Sequence, residues 1–129
     1  MTDQKKFDAG LAARKKVLGA EYVERSLTNA TPFSQQFQTM VTEFCWGEAW
    51  GDDTLNYKER SMLNLGMLAA LGRFTEFKLH FKGAITNGLS EDQLRAILIQ
   101  IAIYCGIPVG VEAFRIANEV LAEQKKAAE

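Results

Sequence analysis

Apolar residues recur at three- and four-residue spacing from one end of the chain to the other, and no stretch alternates strictly as a half-buried strand would. The pattern predicts an all-α protein. Phe7, Leu11, Arg14 and Leu18 draw the apolar edge of a first helix closed by Gly19. Thr31 reads as the cap of a second helix with Pro32 at its first position, where a missing N–H costs nothing. Its stripe runs through Phe33, Phe37, Met40, Val41 and Phe44, and the next position on it is Glu48.

Gly51-Asp52-Asp53 interrupts the pattern, and a third helix spans about Tyr57 to Leu71. It is apolar on nearly all sides and so is expected to be central, with Gly66, Ala69 and Ala70 admitting a close neighbour. Gly72 marks a bend before a helix through His80, which ends at Asn87-Gly88, a pair suited to a left-handed terminus. Ser90 and Gln93 form a capping box ahead of a helix carrying Leu94, Ile97, Leu98, Ile99, Ile101 and Ile103. Such a helix must be buried inside the domain or between subunits. Beyond Gly106-Ile107-Pro108, a last helix carries Ala113, Phe114, Ala117, Val120 and Leu121, and Gln124-Lys125-Lys126 are expected to fray. The sum is a single-domain bundle of about six helices over residues 1–129, without repeat or linker. A chain of this length can bury about two thirds of its unfolded surface.

Composition narrows the function. Fifteen basic and 16 acidic residues give a formal charge of -1, and the scattered basic residues argue against nucleic acid as a partner. Cys45 and Cys105 form no Cys-x-x-Cys pair, so they read as small buried apolar groups in a reducing compartment, not as a redox dithiol or zinc knuckle. Met1–Phe7 lacks the apolar core of a signal peptide, and the apolar run from Ile97 to Val111 is broken by Gln100 and Pro108. A cytoplasmic protein without a membrane partner is the expectation.

The candidate chemistry gathers around the single histidine. On a regular helix Arg73, Glu76 and His80 fall within an arc of roughly 60°, beside the apolar face of Phe74, Phe77, Phe81 and Ala84. The same pattern fits a packed imidazole satisfied by Glu76 or a backbone carbonyl, and Arg73–Glu76 fits a surface ion pair. Arg60 opens the apolar third helix and faces either a cleft or solvent. Glu48 reads equally as a carboxyl pointed at the core, with a raised pKa, or as a solvated group where the helix unwinds at Gly47. Trp46 and Trp50, four residues apart, read as core or pocket wall. One histidine among scattered carboxylates does not make a metal site, and no phosphate loop, nucleotide fingerprint or nucleophile elbow is present. An unaided active site is the simplest enzymatic reading.

Trp46-Gly47-Glu48-x-Trp50, Arg60-Ser61, Leu68-Ala69-Ala70-Leu71-Gly72-Arg73, Glu76-x-x-x-His80, Gly83-Ala84-x-x-Asn87-Gly88, Gly106-x-Pro108 and Ala113-Phe114-Arg115 together resemble the carboxymuconolactone decarboxylase family. Gly10-Leu11-x-x-Arg14-x-x-Val17-Leu18-Gly19 with Tyr22-Val23 extends the resemblance to its short bacterial members of the protocatechuate branch. The resemblance implies an alkylhydroperoxidase D-like fold, assembly as homo-trimers or homo-hexamers, and decarboxylation of 4-carboxymuconolactone to 3-oxoadipate enol-lactone without a cofactor. On that reading Arg60 and Arg73, with Trp50 beside them, bind the dicarboxylate lactone. His80 polarises its carbonyl or delivers a proton, Glu48 is the alternative acid, and Glu76 orients the imidazole. The alkylhydroperoxidase D branch has its Cys-x-x-Cys where this chain has Arg73 and Glu76, so dithiol peroxidase chemistry is disfavoured. Tyr57-Lys58 and Glu112 depart from the family pattern. Two alternatives stay open: a paralogue acting on another small carbonyl acid, and a non-catalytic helical oligomer.

Overall fold

The computed structural model describes residues 3–129; Met1 and Thr2, where the signal-peptide reading begins, lie outside them. Among these residues there are seven α-helices, one π-helical segment and no strand. The chain divides into two compact units, Met1–Tyr57 and Lys58–Glu129.

The first unit contains α1 (Gln4–Leu18), α2 (Ala20–Thr28), α3 (Gln35–Met40) and a π segment (Val41–Ala49) that continues α3. Asp3 caps α1 by accepting a hydrogen bond from the Lys6 N–H at 3.2 Å. At the other end Gly19 takes φ 92°, which lets α2 start at once; that short helix is missing from the periodicity reading because only Val23 on it is buried. α1 lies backbone to backbone against the π segment. A Cβ on Gly10 would collide with the Thr42 carbonyl oxygen and come within 2.7 Å of the Gly47 nitrogen, and one on Gly47 would collide with the Lys6 carbonyl. Ala13, Val17, Trp46 and Trp50 make the core of the unit.

Two expectations for this unit are corrected. Thr31 and Ser34 close a hydrogen-bonded turn, and the second predicted helix begins only at Gln35, because Thr31 caps that turn instead of the helix itself. Its apolar stripe faces outward: Phe33 is 98% exposed, and Phe37, Met40 and Phe44 are about half exposed. Thr42, Glu43, Trp46 and Trp50 turn inward in their place.

The second unit is built from α4 (Tyr57–Ala70), whose first residue still belongs to the first unit, α5 (Phe74–Thr86), α6 (Glu91–Cys105) and α7 (Ile107–Ala128). Leu65, Phe77, Phe81, Leu94, Leu98, Ala113 and Val120 lie at its centre, each large side chain contributing roughly 1.5–3 kcal/mol on burial. Gly72 and Gly88 take positive φ at the ends of α4 and α5, and the Ser90–Gln93 capping box is formed. Pro108 sits in the first turn of α7, and Gly110 lets that helix rest on Ala102 of α6.

α4 is not enclosed as its all-round apolarity suggested, and of the two places expected for α6 the inside of the unit is not the one it takes. Met62, Leu63 and Met67 on α4, and Ile99 and Ile103 on α6, are exposed, because four helices bury only one face of each. Cys45 is exposed and Cys105 half-buried, against the expectation of two buried thiols. Gln124-Lys125-Lys126 remain helical instead of fraying, with the two lysines in the last turn, where a positive charge favours the helix. No helix of the described residues is long and apolar enough to cross a membrane.

Candidate active site

His80 lies on the side of α5 turned toward α4. Its ring is half-buried, and its Nδ1 stands 3.4 Å from the side-chain nitrogen of Asn64 on α4. An amide nitrogen can only donate, so Nδ1 accepts and the proton of a neutral ring belongs on Nε2. Burial lowers the His80 pKa to about 4, overriding the opposite pull of the nearby Glu76 charge. The imidazole is therefore neutral at pH 7, with its one N–H on Nε2.

The same helix pair is joined again two turns along, where the Asn87 amide donates to the Ser61 hydroxyl at 2.9 Å. Ser61 and Asn64 are three apart on α4, and Asn87, which caps the end of α5, follows His80 by seven residues, so a polar strip lines the contact beside the Phe77–Phe81 core. Arg60 is half-buried, not a solvated first-turn residue, and stands four residues before Asn64 on the same face of α4. Asn64 escaped the sequence reading because asparagine inside a helix carries no periodic signal, four-residue spacing from Arg60 being the available clue, and Asn87 was read only as a helix terminus.

Arg73 and Glu76 are on this unit but face solvent more. They form an ion pair at 2.7 Å, with Arg73 about two thirds exposed. That bond to Arg73 holds the Glu76 carboxyl below the usual carboxylate range. Glu76 thus acts on His80 as a neighbouring charge while its Oε1 is engaged by arginine. Glu112 is paired with Arg115, which in turn reaches Glu119, so its added charge is locally neutralised.

Glu48 and Trp50 belong to the first unit. Glu48 does not point into a core: its side chain is 60% exposed and pairs with Lys6 of α1. Trp50 is 4% exposed, stacked on Trp46 with centroids 4.8 Å apart and meeting the edge of Tyr57 at 5.4 Å. It is core and not an open binding face. Two buried charges of this unit were not among the candidates. Glu43 accepts from the Asp3 backbone N–H at 2.9 Å, and Arg14 reaches Gln38 and Thr42. Arg14 did lie on the apolar edge of the first predicted helix, which was the signal for it. No group of three or more metal-ligating side chains converges among the described residues.

Comparison with known proteins places this arrangement. Residues 35–119 match the carboxymuconolactone decarboxylase family. A nitrosuccinic acid decarboxylase of Metarhizium robertsii is 42% identical over 115 residues, covering 89% of this chain and 80% of that protein. A 4-carboxymuconolactone decarboxylase of Acinetobacter baylyi is 36% identical over 120 residues, covering 93% and 90%. A 4-carboxymuconolactone decarboxylase sequence from Pseudomonas putida, matched over its full 48 residues, is 35% identical to 37% of the chain.

Proposed function

The chain belongs to the carboxymuconolactone decarboxylase family, and from that premise we propose that it is a carboxy-lyase for a small dicarboxylic acid that carries its own electron sink, with 4-carboxymuconolactone converted to 3-oxoadipate enol-lactone. Decarboxylation as the type of reaction agrees with both long relatives. In the lactone, the electron pair left by departing carbon dioxide spreads through the double bond onto the lactone carbonyl. Hence the protein need supply only a clamp for anions, a donor for the developing oxyanion, and a proton for carbon.

The observation that carries this reading is the state of His80: neutral, half-buried, with Nδ1 turned to Asn64. A neutral imidazole with its proton on Nε2 is suited to hydrogen-bond an oxygen that gains charge, and poorly suited to give that proton away. His80 therefore polarises the carbonyl. Arg60, half-buried on the face of α4 that carries Asn64, is the preferred carboxylate clamp over the exposed Arg73; a shielded guanidinium–carboxylate bond contributes about 1.5–3 kcal/mol. Glu48 is exposed and paired with Lys6, so the proton for carbon is taken from solvent.

The 42% identity to a nitrosuccinic acid decarboxylase favours a second substrate in the same chemical class. In nitrosuccinate the nitro group receives the electron pair, the product is 3-nitropropionate, and the donor is again required at an oxygen. Purified protein should be given each acid separately, with lactone loss followed by ultraviolet absorbance and carbon dioxide measured directly. Turnover of one acid far above the other assigns the substrate, and turnover of neither refutes the reading. His80→Gln should lower kcat by about 10²-fold or more with helicity unchanged, and undiminished turnover removes His80 from the mechanism.

Assembly is part of the proposal. Phe33, Phe37, Met40 and Phe44 on the first unit, and Ile103, Tyr104, Ile107 and Val111 on the second, are exposed apolar side chains of the kind that subunit contacts cover. A homo-trimer or homo-hexamer is the expected form, read by light scattering.

A further inference from the structure

Arg14 on α1 is 6% exposed, and among the described residues it takes part in no ion pair. Its Nη1 donates to Thr42 Oγ1 at 3.1 Å and to Gln38 Oε1 at 3.2 Å, its Nη2 donates to the same Gln38 oxygen at 3.2 Å, and its Nε, also buried, has no acceptor. Every partner is neutral, and every bond is longer than the 2.7–2.9 Å usual between guanidinium and carboxylate. Burial lowers the Arg14 pKa, as expected of a cation taken from water without a counter-charge. The buried acid of the unit, Glu43, is committed elsewhere, to the Asp3 backbone N–H.

A buried cation normally has an anion against it, because breaking up such a pair is far costlier than never burying it. Here one neutral oxygen, Gln38 Oε1, bridges both terminal nitrogens, the place a carboxylate oxygen would occupy on the fork. Gln38 is carried on α3, in which no residue is buried, so its side chain can move aside without opening the core. We propose that the first unit contains a carboxylate-binding site at Arg14, where the carboxylate of a small organic acid displaces the Gln38 side chain from the guanidinium fork and supplies the missing counter-charge. The proposal concerns binding and stands whatever acid the enzyme turns over.

Succinate is the probe, with chloride at equal ionic strength as control. At about ten times its dissociation constant, succinate should raise the melting temperature of the wild-type protein by roughly 3–6 °C over chloride. Arg14→Met should melt at or above the wild type without succinate and respond to it measurably less than the wild type. Gln38→Ala, which keeps the cation and removes the competitor, should bind succinate about 3–10-fold more tightly by calorimetry, a cost of displacement no larger than a few ordinary hydrogen bonds. It serves as the second test should Arg14→Met fail to fold. Cys45 gives a local signal: burial pushes its thiol pKa up and the Arg14 charge opposes that rise, so succinate, by neutralising Arg14, should slow its alkylation. A wild type indifferent to succinate, an undiminished succinate response in Arg14→Met, or an unchanged affinity in Gln38→Ala overturns the site.

Discussion

The state of His80 can be measured through stability, without any substrate. Burial takes its pKa from an ordinary 6.5 to about 4 in the folded protein. Between these values the unfolded chain binds a proton that the folded chain does not, so stability rises with pH across this window and is lost as pH falls through it. The gap, at 1.36 kcal/mol for each pH unit, comes to about 3 kcal/mol, an upper figure because the ring is only half-buried. His80→Gln removes the titration and leaves every carboxylate in place, so the wild-type minus variant difference in unfolding free energy isolates it. Urea titrations at half-unit steps should give a flat difference above about pH 6.5 and a decline of about 2–3 kcal/mol in the wild type, relative to the variant, by about pH 4. A flat difference throughout would mean that the ring is solvated. A difference that grows toward acid would mean that Glu76 stabilises an imidazolium, and the neutral-donor role would fall with it.

Asn64→Asp places a carboxylate against Nδ1, which should raise the His80 pKa and bring a new acid limb, with kcat falling as pH drops, into the profile between about pH 5 and 8; a profile superimposable on wild type would refute the contact. Gly10→Ala drives a methyl group into the Thr42 carbonyl and should cost roughly 3 kcal/mol or more in urea unfolding, since both opposing surfaces are backbone. Glu48→Gln breaks an exposed pair with Lys6 and should change stability by only about 0–1 kcal/mol, whatever it does to turnover; a larger loss would show that Glu48 is buried in the assembled protein.

Element ends were legible because they rest on local chemistry. The Ser90–Gln93 capping box, Gly19 at the end of α1, Gly72 before α5 and Pro108 in α7 are each fixed by the conformational limits of a few neighbouring residues. The direction an apolar stripe faces is not local. Phe33, Phe37, Met40 and Phe44 obey helical spacing and still point outward, since periodicity states that a face will be covered without saying by what. The same holds for Met67 on α4 and Ile103 on α6.

Arg14 and Glu48 pose one question, because each is a charged residue placed by 3.6-residue counting on an apolar edge, and they end differently. α1 is a regular helix up to Leu18, so the count holds at Arg14, which is buried beside Val17. Glu48 comes after seven residues of π-helix, in which Trp50 N–H bonds the Cys45 carbonyl five residues back. At roughly 4.4 residues per turn, seven steps rotate the chain by about 570° instead of the 700° of an α-helix, so Glu48 swings about a third of a turn off its stripe. There it meets Lys6, which sits where Gly10 and Gly47 bring the two backbones together. A π segment gives no periodic warning in the sequence. What it does leave is the pair of glycines that such a close crossing demands, and a charge counted past a glycine like Gly47 cannot be assigned to a face by α-helical counting alone.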